Sequence, residues 1–289
     1  MNENKTNINW YPGHMAKTRR QIKENISLVD IIYEVIDSRI PYSSRINDIK
    51  DLTNNKPHIL IFTKYDLCDK EETDRFIEKY KKDGNYIITY DLTKNIDITK
   101  LINLSNEILK EKIDKLKEKG LKKDTIRALV VGVPNAGKST LINKIVGRKI
   151  TVTGNKPGVT KNLSWIRIGK NIELLDSPGI LWPKLEQEKE AFNLASTTAI
   201  KEDILEKESI AVYIIKFLYK YYPVVLENNY GITNIEDFEE VYDNIGKKRG
   251  FMMKGGVIDY DRVTDLIIND IKNGKISGIT FDRVEDYEL

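Results

Sequence analysis

Residues 59–67 read ILIFTKYDL and residues 130–140 read VVGVPNAGKST, and the order of these two stretches decides the fold. The second has the spacing of a phosphate-binding loop. IRALVVGVP, from Ile126, reads as a buried strand, and the chain passes straight into a helix-forming STLINKIVG. That strand–loop–helix setting is the one the loop requires. Glycines let successive backbone N–H groups turn inward onto phosphates, and the helix N-terminus adds partial positive charge. Lys138 would reach the β- and γ-phosphates and the Ser139 hydroxyl would ligate Mg²⁺, with Pro134, Asn135, Ala136, Gly137 and Thr140 completing the cradle. The first stretch contains Thr63-Lys64-Tyr65-Asp66, a form of the Asn/Thr-Lys-x-Asp element that reads guanine. This element ordinarily follows the phosphate loop; here it precedes it.

Counting strands explains the inversion. Downstream of Ile126 only IRALVVGVP, LSWIRIGK and IELLDSPG read as strands, too few for a nucleotide-binding sheet. Upstream, LVDIIYEVID (28–37), PHILIFTKYD (57–66) and NYIITYDL (85–92) supply three more, separated by polar helix-like segments. Alternation of strands and helices implies a mostly parallel six-stranded α/β sheet. Residues 97–123 would be the helix joining the two halves. A search beyond Asp176 finds no second Asn/Thr-Lys-x-Asp. The domain is therefore read as circularly permuted, which costs little because both elements sit at carboxyl ends of neighbouring strands. We expect this domain over 1–185 and a smaller helical domain over 186–289.

The remaining chemistry follows. An ionised Asp66 accepts both N1–H and the exocyclic amine of guanine, a donor pair adenine lacks, while Lys64 lays its stem along the base. Thr63, where Asn is commoner, would tether the loop through its hydroxyl. TYDLT (89–93) matches the base-backing loop poorly, and no residue is assigned there. Asp176, in DSPG, would hold Mg²⁺ through water, and the Gly179 amide would lie near the γ-phosphate. Thr160 would close on Mg²⁺, or else is an ordinary loop threonine. Ile180 stands where many such domains carry a water-orienting Gln. Hydrolysis by the isolated chain should accordingly be slow. Asn135 either holds a monovalent cation against the phosphates or caps the loop.

Composition excludes little more. The 289 residues are 40% hydrophobic and 31% charged, with net charge +3, too mild to establish a nucleic-acid partner. Cys68 is the sole cysteine, so no intrachain disulfide forms. No apolar run is long enough to cross a bilayer, and the N-terminus lacks a signal peptide's build, so a cytoplasmic monomer is expected.

WYPGHMAKTRR (10–20), DSRIPYSSR (37–45), GVPNAGKSTLIN, TGNKPGVT, ELLDSPGILWPK (173–184) and YDNIGKKRGFMMKGGVIDYDR (242–262) together make the chain resemble the circularly permuted GTPases of the bacterial ribosome biogenesis GTPase A family. It departs from the family pattern at Thr63, Ser38 and Ile46. The resemblance implies a factor that binds a late precursor of the large ribosomal subunit, hydrolyses GTP there and leaves, activated by the particle and by potassium. It also implies that His14 acts on the attacking water; a turn or RNA-contacting role is the other reading. Lys247, Lys248, Arg249 and Lys254, set between glycines, would contact RNA, and Lys17, Arg19, Arg20, Arg39 and Arg45 carry the same reading; a solvated face is the bland alternative. A metabolic ATP-using enzyme and an RNA-binding module with a vestigial nucleotide site are the rival classes. Asp66 argues against the former, and the full Lys138, Ser139, Thr160 and Asp176 set against the latter.

Overall fold

The structure, a computed structural model, describes residues 13–120, 125–149, 163–168, 172–181, 187–197, 199 and 205–287. Its centre is a six-stranded sheet formed by β1 (Ile31–Asp37), β2 (His58–Thr63), β3 (Tyr86–Thr89), β4 (Ile126–Val131), β5 (Ser164–Ile168) and β6 (Ile172–Asp176). The spatial order is β3-β2-β1-β4-β6-β5. All pairings are parallel except β5 with β6. Each of the six expected strands is present.

The central strands are mostly apolar because helices cover both sheet faces, with Glu34 and Asp37 the buried acids of β1. All seven residues of β1 are buried. The chain steps outward from β1 to β2 and β3 on one side, and from β4 to β6 on the other. The direction reverses between β1 and β4, and at such a point the carboxyl ends of an open sheet leave a crevice for ligands. Both stretches that open the sequence argument end there.

The helices are α1 (Gly13–Asn25), α2 (Ile49–Leu52), α3 (Lys70–Lys82), α4 (Ile98–Ile108), α5 (Lys110–Glu118), α6 (Lys138–Val146), α7 (Glu188–Ser196), α8 (Lys207–Tyr221), α9 (Pro223–Tyr230), α10 (Phe238–Arg249) and α11 (Tyr260–Lys272). Local chemistry sets their ends. The Asp69 carboxylate caps α3 by accepting from Glu72 N–H, and lysines 79, 81 and 82 occupy its last turn, where the helix dipole favours cations. The expected connecting helix over 97–123 is two helices. Leu109, buried, separates α4 from α5, although Leu109 N–H and Ile113 N–H still donate to Ser105 and Leu109 carbonyls.

Beyond β6 the described residues are mostly helical as expected, with one addition. After α11 the chain returns across the sheet's carboxyl end, burying Ile276, Ile279 and Phe281. One hydrophobic core runs from Tyr33 and Val130 through Leu194 and Ile214 to Phe281. The expected boundary at 185/186 falls at residues 182–186, outside the described ones.

Candidate guanine-nucleotide site

The phosphate loop leaves β4 at Gly132, where a Cβ would sit 2.5 Å from the Val35 carbonyl oxygen of β1. The loop then turns through Asn135, in the left-handed conformation at φ 58°, and enters α6 at Lys138. The Lys138 ammonium curls back, donating to the carbonyls of Gly132 at 2.9 Å and Val133 at 2.8 Å. Asp176 closes β6 with 1% exposure, and its Oδ1 has no hydrogen-bond partner among the described residues. Burial lowers the Lys138 pKa and raises that of Asp176, each partly offset by the other's charge. A buried carboxylate oxygen without a hydrogen-bond partner beside a phosphate loop fits a bound cation or water.

The DSPG stretch crosses the loop. Ser177 Oγ donates to the Val130 carbonyl at 2.7 Å, and Ile180 N–H donates to the Gly132 carbonyl at 3.2 Å. A Cβ on Gly179 would lie 2.7 Å from both Cα and N of Pro134, so only glycine permits this crossing. Ile180 is fully buried and packs with Ile22, Leu129, Val131 and Leu175. Its side chain points into the core.

Across the crevice, Thr63 Oγ1 lies 2.5 Å from the Ala136 carbonyl and 3.1 Å from that of Ile36. Lys64 is left-handed at φ 55° and its ammonium donates to Asp37 Oδ2 at 2.8 Å and to the Asn135 carbonyl at 2.6 Å. Asp66 is exposed in the turn closed by Leu67 N–H to the Lys64 carbonyl. The structure thus brings Thr63, Lys64, Asn135, Ala136, Lys138, Asp176 and Gly179 to one end of the sheet. Beside them is the loop after β3, where Asp91 accepts from Thr93 N–H at 2.9 Å and Leu92 packs against the face of Gly137. An Asp-x-Thr turn was the available sequence signal for that loop.

Sequence reasoning missed Asp37, whose carboxylate holds Lys64. Its neighbour Arg39, read as an RNA-contacting cation, is corrected: it is 1% exposed and paired with Asp37 at 2.8 Å. Arg45 pairs with buried Glu34, and Arg19 with Asp48. Of the C-terminal cluster, Lys247 pairs with Asp243 along α10, and Arg249 folds back to the Asn229 carbonyl at 3.1 Å. Lys254 sits at an exposed turn beside Met252, Met253 and Val257. Thr160 lies outside the described residues. His14 falls in the first turn of α1, with its side chain outside them.

Residues 127–252 match the family model of the 50S ribosome-binding GTPases, a match that begins in β4, downstream of the base-reading loop. The chain is 44% identical over 283 residues to ribosome biogenesis GTPase A of Priestia megaterium, covering 97% of this chain and 98% of that one. It is 45% identical over 280 residues to the protein of the same name from Bacillus licheniformis, covering 96% and 99%. Its fold is similar to the GDP-bound structure of TM YlqF, with TM-score 0.66 and 27% identity over 92% of this chain and 100% of that one. The GNP-bound YlqF from T. maritima gives TM-score 0.64 at 26% identity, covering 92% and 98%.

Proposed function

The chain belongs to the ribosome biogenesis GTPase A family, and we propose that it binds a late precursor of the large ribosomal subunit, hydrolyses GTP there and departs with GDP. The observation that carries this reading is the meeting of the phosphate loop and the Thr63–Asp66 loop at one end of the sheet, with Ile180 buried where many such domains carry a water-orienting residue. Such a site has no water-orienting side chain at position 180, so turnover depends on groups brought to the water from elsewhere, His14 and the docked particle.

Hydrolysis breaks the bond between the γ-phosphorus and its bridging oxygen and forms one from a water oxygen. Lys138, released from the Gly132 and Val133 carbonyls, would meet the β- and γ-phosphate oxygens, as would the loop N–H groups and that of Gly179. Asp66 and Lys64 hold the base. Mg²⁺, when bound, supplies positive charge at the β- and γ-oxygens. The orphaned Asp176 Oδ1 fits it, with Ser139 and Thr160 as the other holders and Asp176 acting through water. Asn135, at the left-handed apex of the loop, is the candidate for K⁺. His14 opens α1, whose Ile22 shares the core cluster of Ile180; we assign it to the attacking water. The division of labour places the GTPase domain in 1–185 and RNA contact in 186–289, through Lys247, Lys248, Arg249 and Lys254. No helix among the described residues is long and apolar enough to cross a membrane. The factor is proposed to act in the cytoplasm as a monomer.

The test is steady-state GTP hydrolysis in potassium and in sodium buffer, with and without purified large subunits. Turnover rising well beyond tenfold with subunits, and further with potassium, supports the proposal. Turnover indifferent to subunits removes the ribosomal part of it.

A further inference from the structure

Lys64 is not held by its own loop alone. A non-glycine residue at φ 55° occupies a sparsely populated conformation and persists only when its surroundings restrain it. The Lys64 ammonium is tied to the Asn135 carbonyl at 2.6 Å and to Asp37, at the end of β1 and 2% exposed, which accepts at 2.8 Å. The same carboxylate is gripped from the other side by Arg39. Arg39 Nε donates to Oδ1 at 3.0 Å, Nη2 to Oδ2 at 2.8 Å, and its backbone N–H to Oδ1 at 3.1 Å. Burial pushes the Asp37 carboxyl up, but Arg39 and Lys64 outweigh it and hold it well below the usual carboxylate range.

The third arm of Arg39 leaves the sheet. Its Nη1 donates at 2.9 Å to the Ile271 carbonyl, in the last turn of α11, which also accepts from Gly274 N–H at 3.2 Å. The backbone carbonyl of Arg39 accepts from Phe281 N–H at 2.8 Å. The base-reading loop is held from the same quarter: the Leu67 carbonyl accepts from Gly278 N–H at 2.8 Å, and Asp69 N–H donates to Thr280 Oγ1 at 3.1 Å. A continuous polar path therefore runs from the end of α11 through Arg39, Asp37 and Lys64 to the Asn135 carbonyl of the phosphate loop.

We propose that Asp37 and Arg39 are positioning residues for guanine recognition, and that through Arg39 the carboxyl end of α11 sets how firmly Lys64 is held over the base. The proposal rests on Thr63–Asp66 being the guanine-reading loop. Whatever moves α11, such as docking of the C-terminal helices on a partner, would then alter nucleotide affinity without touching the phosphate loop. Lysine cannot replace Arg39 in this role, because a point-like ammonium cannot span both carboxylate oxygens and the Ile271 carbonyl.

The experiment is a mant-GDP titration of the full chain for R39K and D37N, each alone and in the K64M background, with thermal melts alongside. Acting through Lys64, each substitution weakens mant-GDP binding roughly tenfold on its own and changes it less than about twofold in K64M. Equal losses in both backgrounds, or no loss in either, overturn the proposal. Should D37N fail to fold, R39K, which keeps the charge, decides. D66N separates the two layers of the argument. An Asn amide there faces the C2 carbonyl of xanthine in place of the guanine amine, so D66N prefers mant-XDP to mant-GDP if the loop reads the base. A switch in D66N with unaltered R39K and D37N sinks the positioning role alone; no switch sinks the guanine reading beneath it.

Discussion

The Thr63 hydroxyl donates to the Ala136 carbonyl at 2.5 Å, so the base-reading and phosphate loops, 73 positions apart in the chain, share one buried hydrogen bond. T63V keeps the shape and removes the donor, leaving a buried carbonyl unsatisfied. The cost is about 1–3 kcal/mol, read as a lower melting temperature together with several-fold weaker mant-GDP binding. T63S, which keeps the donor, should bind as the parent does.

Ile180 occupies the glutamine position but not the glutamine's place. Because its side chain lies among Ile22, Leu129, Val131 and Leu175, I180Q buries an amide without partners at a cost of about 1–3 kcal/mol. Intrinsic GTP turnover should not rise. A gain in turnover on its own would mean that residue 180 faces the nucleotide.

Gly179 admits no side chain. In G179A the new methyl meets backbone atoms of Pro134 at 2.7 Å, and the phosphate loop must separate from the DSPG stretch. We expect single-turnover GTP hydrolysis on the subunit to fall at least about tenfold, with a lowered melting temperature. Parent-like kinetics would show that the two segments part without consequence.

His58, at the start of β2, has its pKa lowered to about 4 by burial first and by Arg45 second. The folded chain thus resists protonation that the unfolded chain accepts near 6.5. Its contribution is complete above about pH 6.5 and is lost as pH falls toward 4, amounting to roughly 3 kcal/mol at the acid end. H58Q should flatten the fall in melting temperature between pH 6.5 and 4. An identical pH profile for parent and variant would contradict the assignment.

Asp282 staples the returning C-terminal segment to residues 42–43. It accepts from Tyr42 N–H at 2.7 Å, Ser43 N–H at 2.8 Å, Ser43 Oγ at 2.5 Å, Asn193 Nδ2 at 2.8 Å and Tyr287 Oη at 2.8 Å. D282A strands these five donors and should cost about 3 kcal/mol or more by urea denaturation. A loss under about 1 kcal/mol would mean that water replaces the carboxylate readily.

The phosphate loop, the DSPG stretch and Thr63–Asp66 were legible because each is a short run whose residue types and spacing carry their own chemistry. The permuted order was legible from the strand count on either side of Ile126. Arg39 was misread as a surface cation because an arginine in a polar run looks the same whether solvated or buried; only the carboxylate two residues earlier, folded under it, distinguishes the cases. The 276–287 return was missed because its apolar residues follow neither the helical nor the strand period.

By itself, then, the sequence determined which chemical groups the protein carries, the αβ alternation and the order of its nucleotide-reading segments, since these depend on neighbours within a few positions. The tertiary structure alone decided that Ile180 faces the core, that Thr63 bonds Ala136, and that Asp37 and Arg39 join Lys64 to the end of α11. Those relationships are made between residues up to 232 positions apart. They exist only once burial has stripped water from the partners and left each polar group to find another.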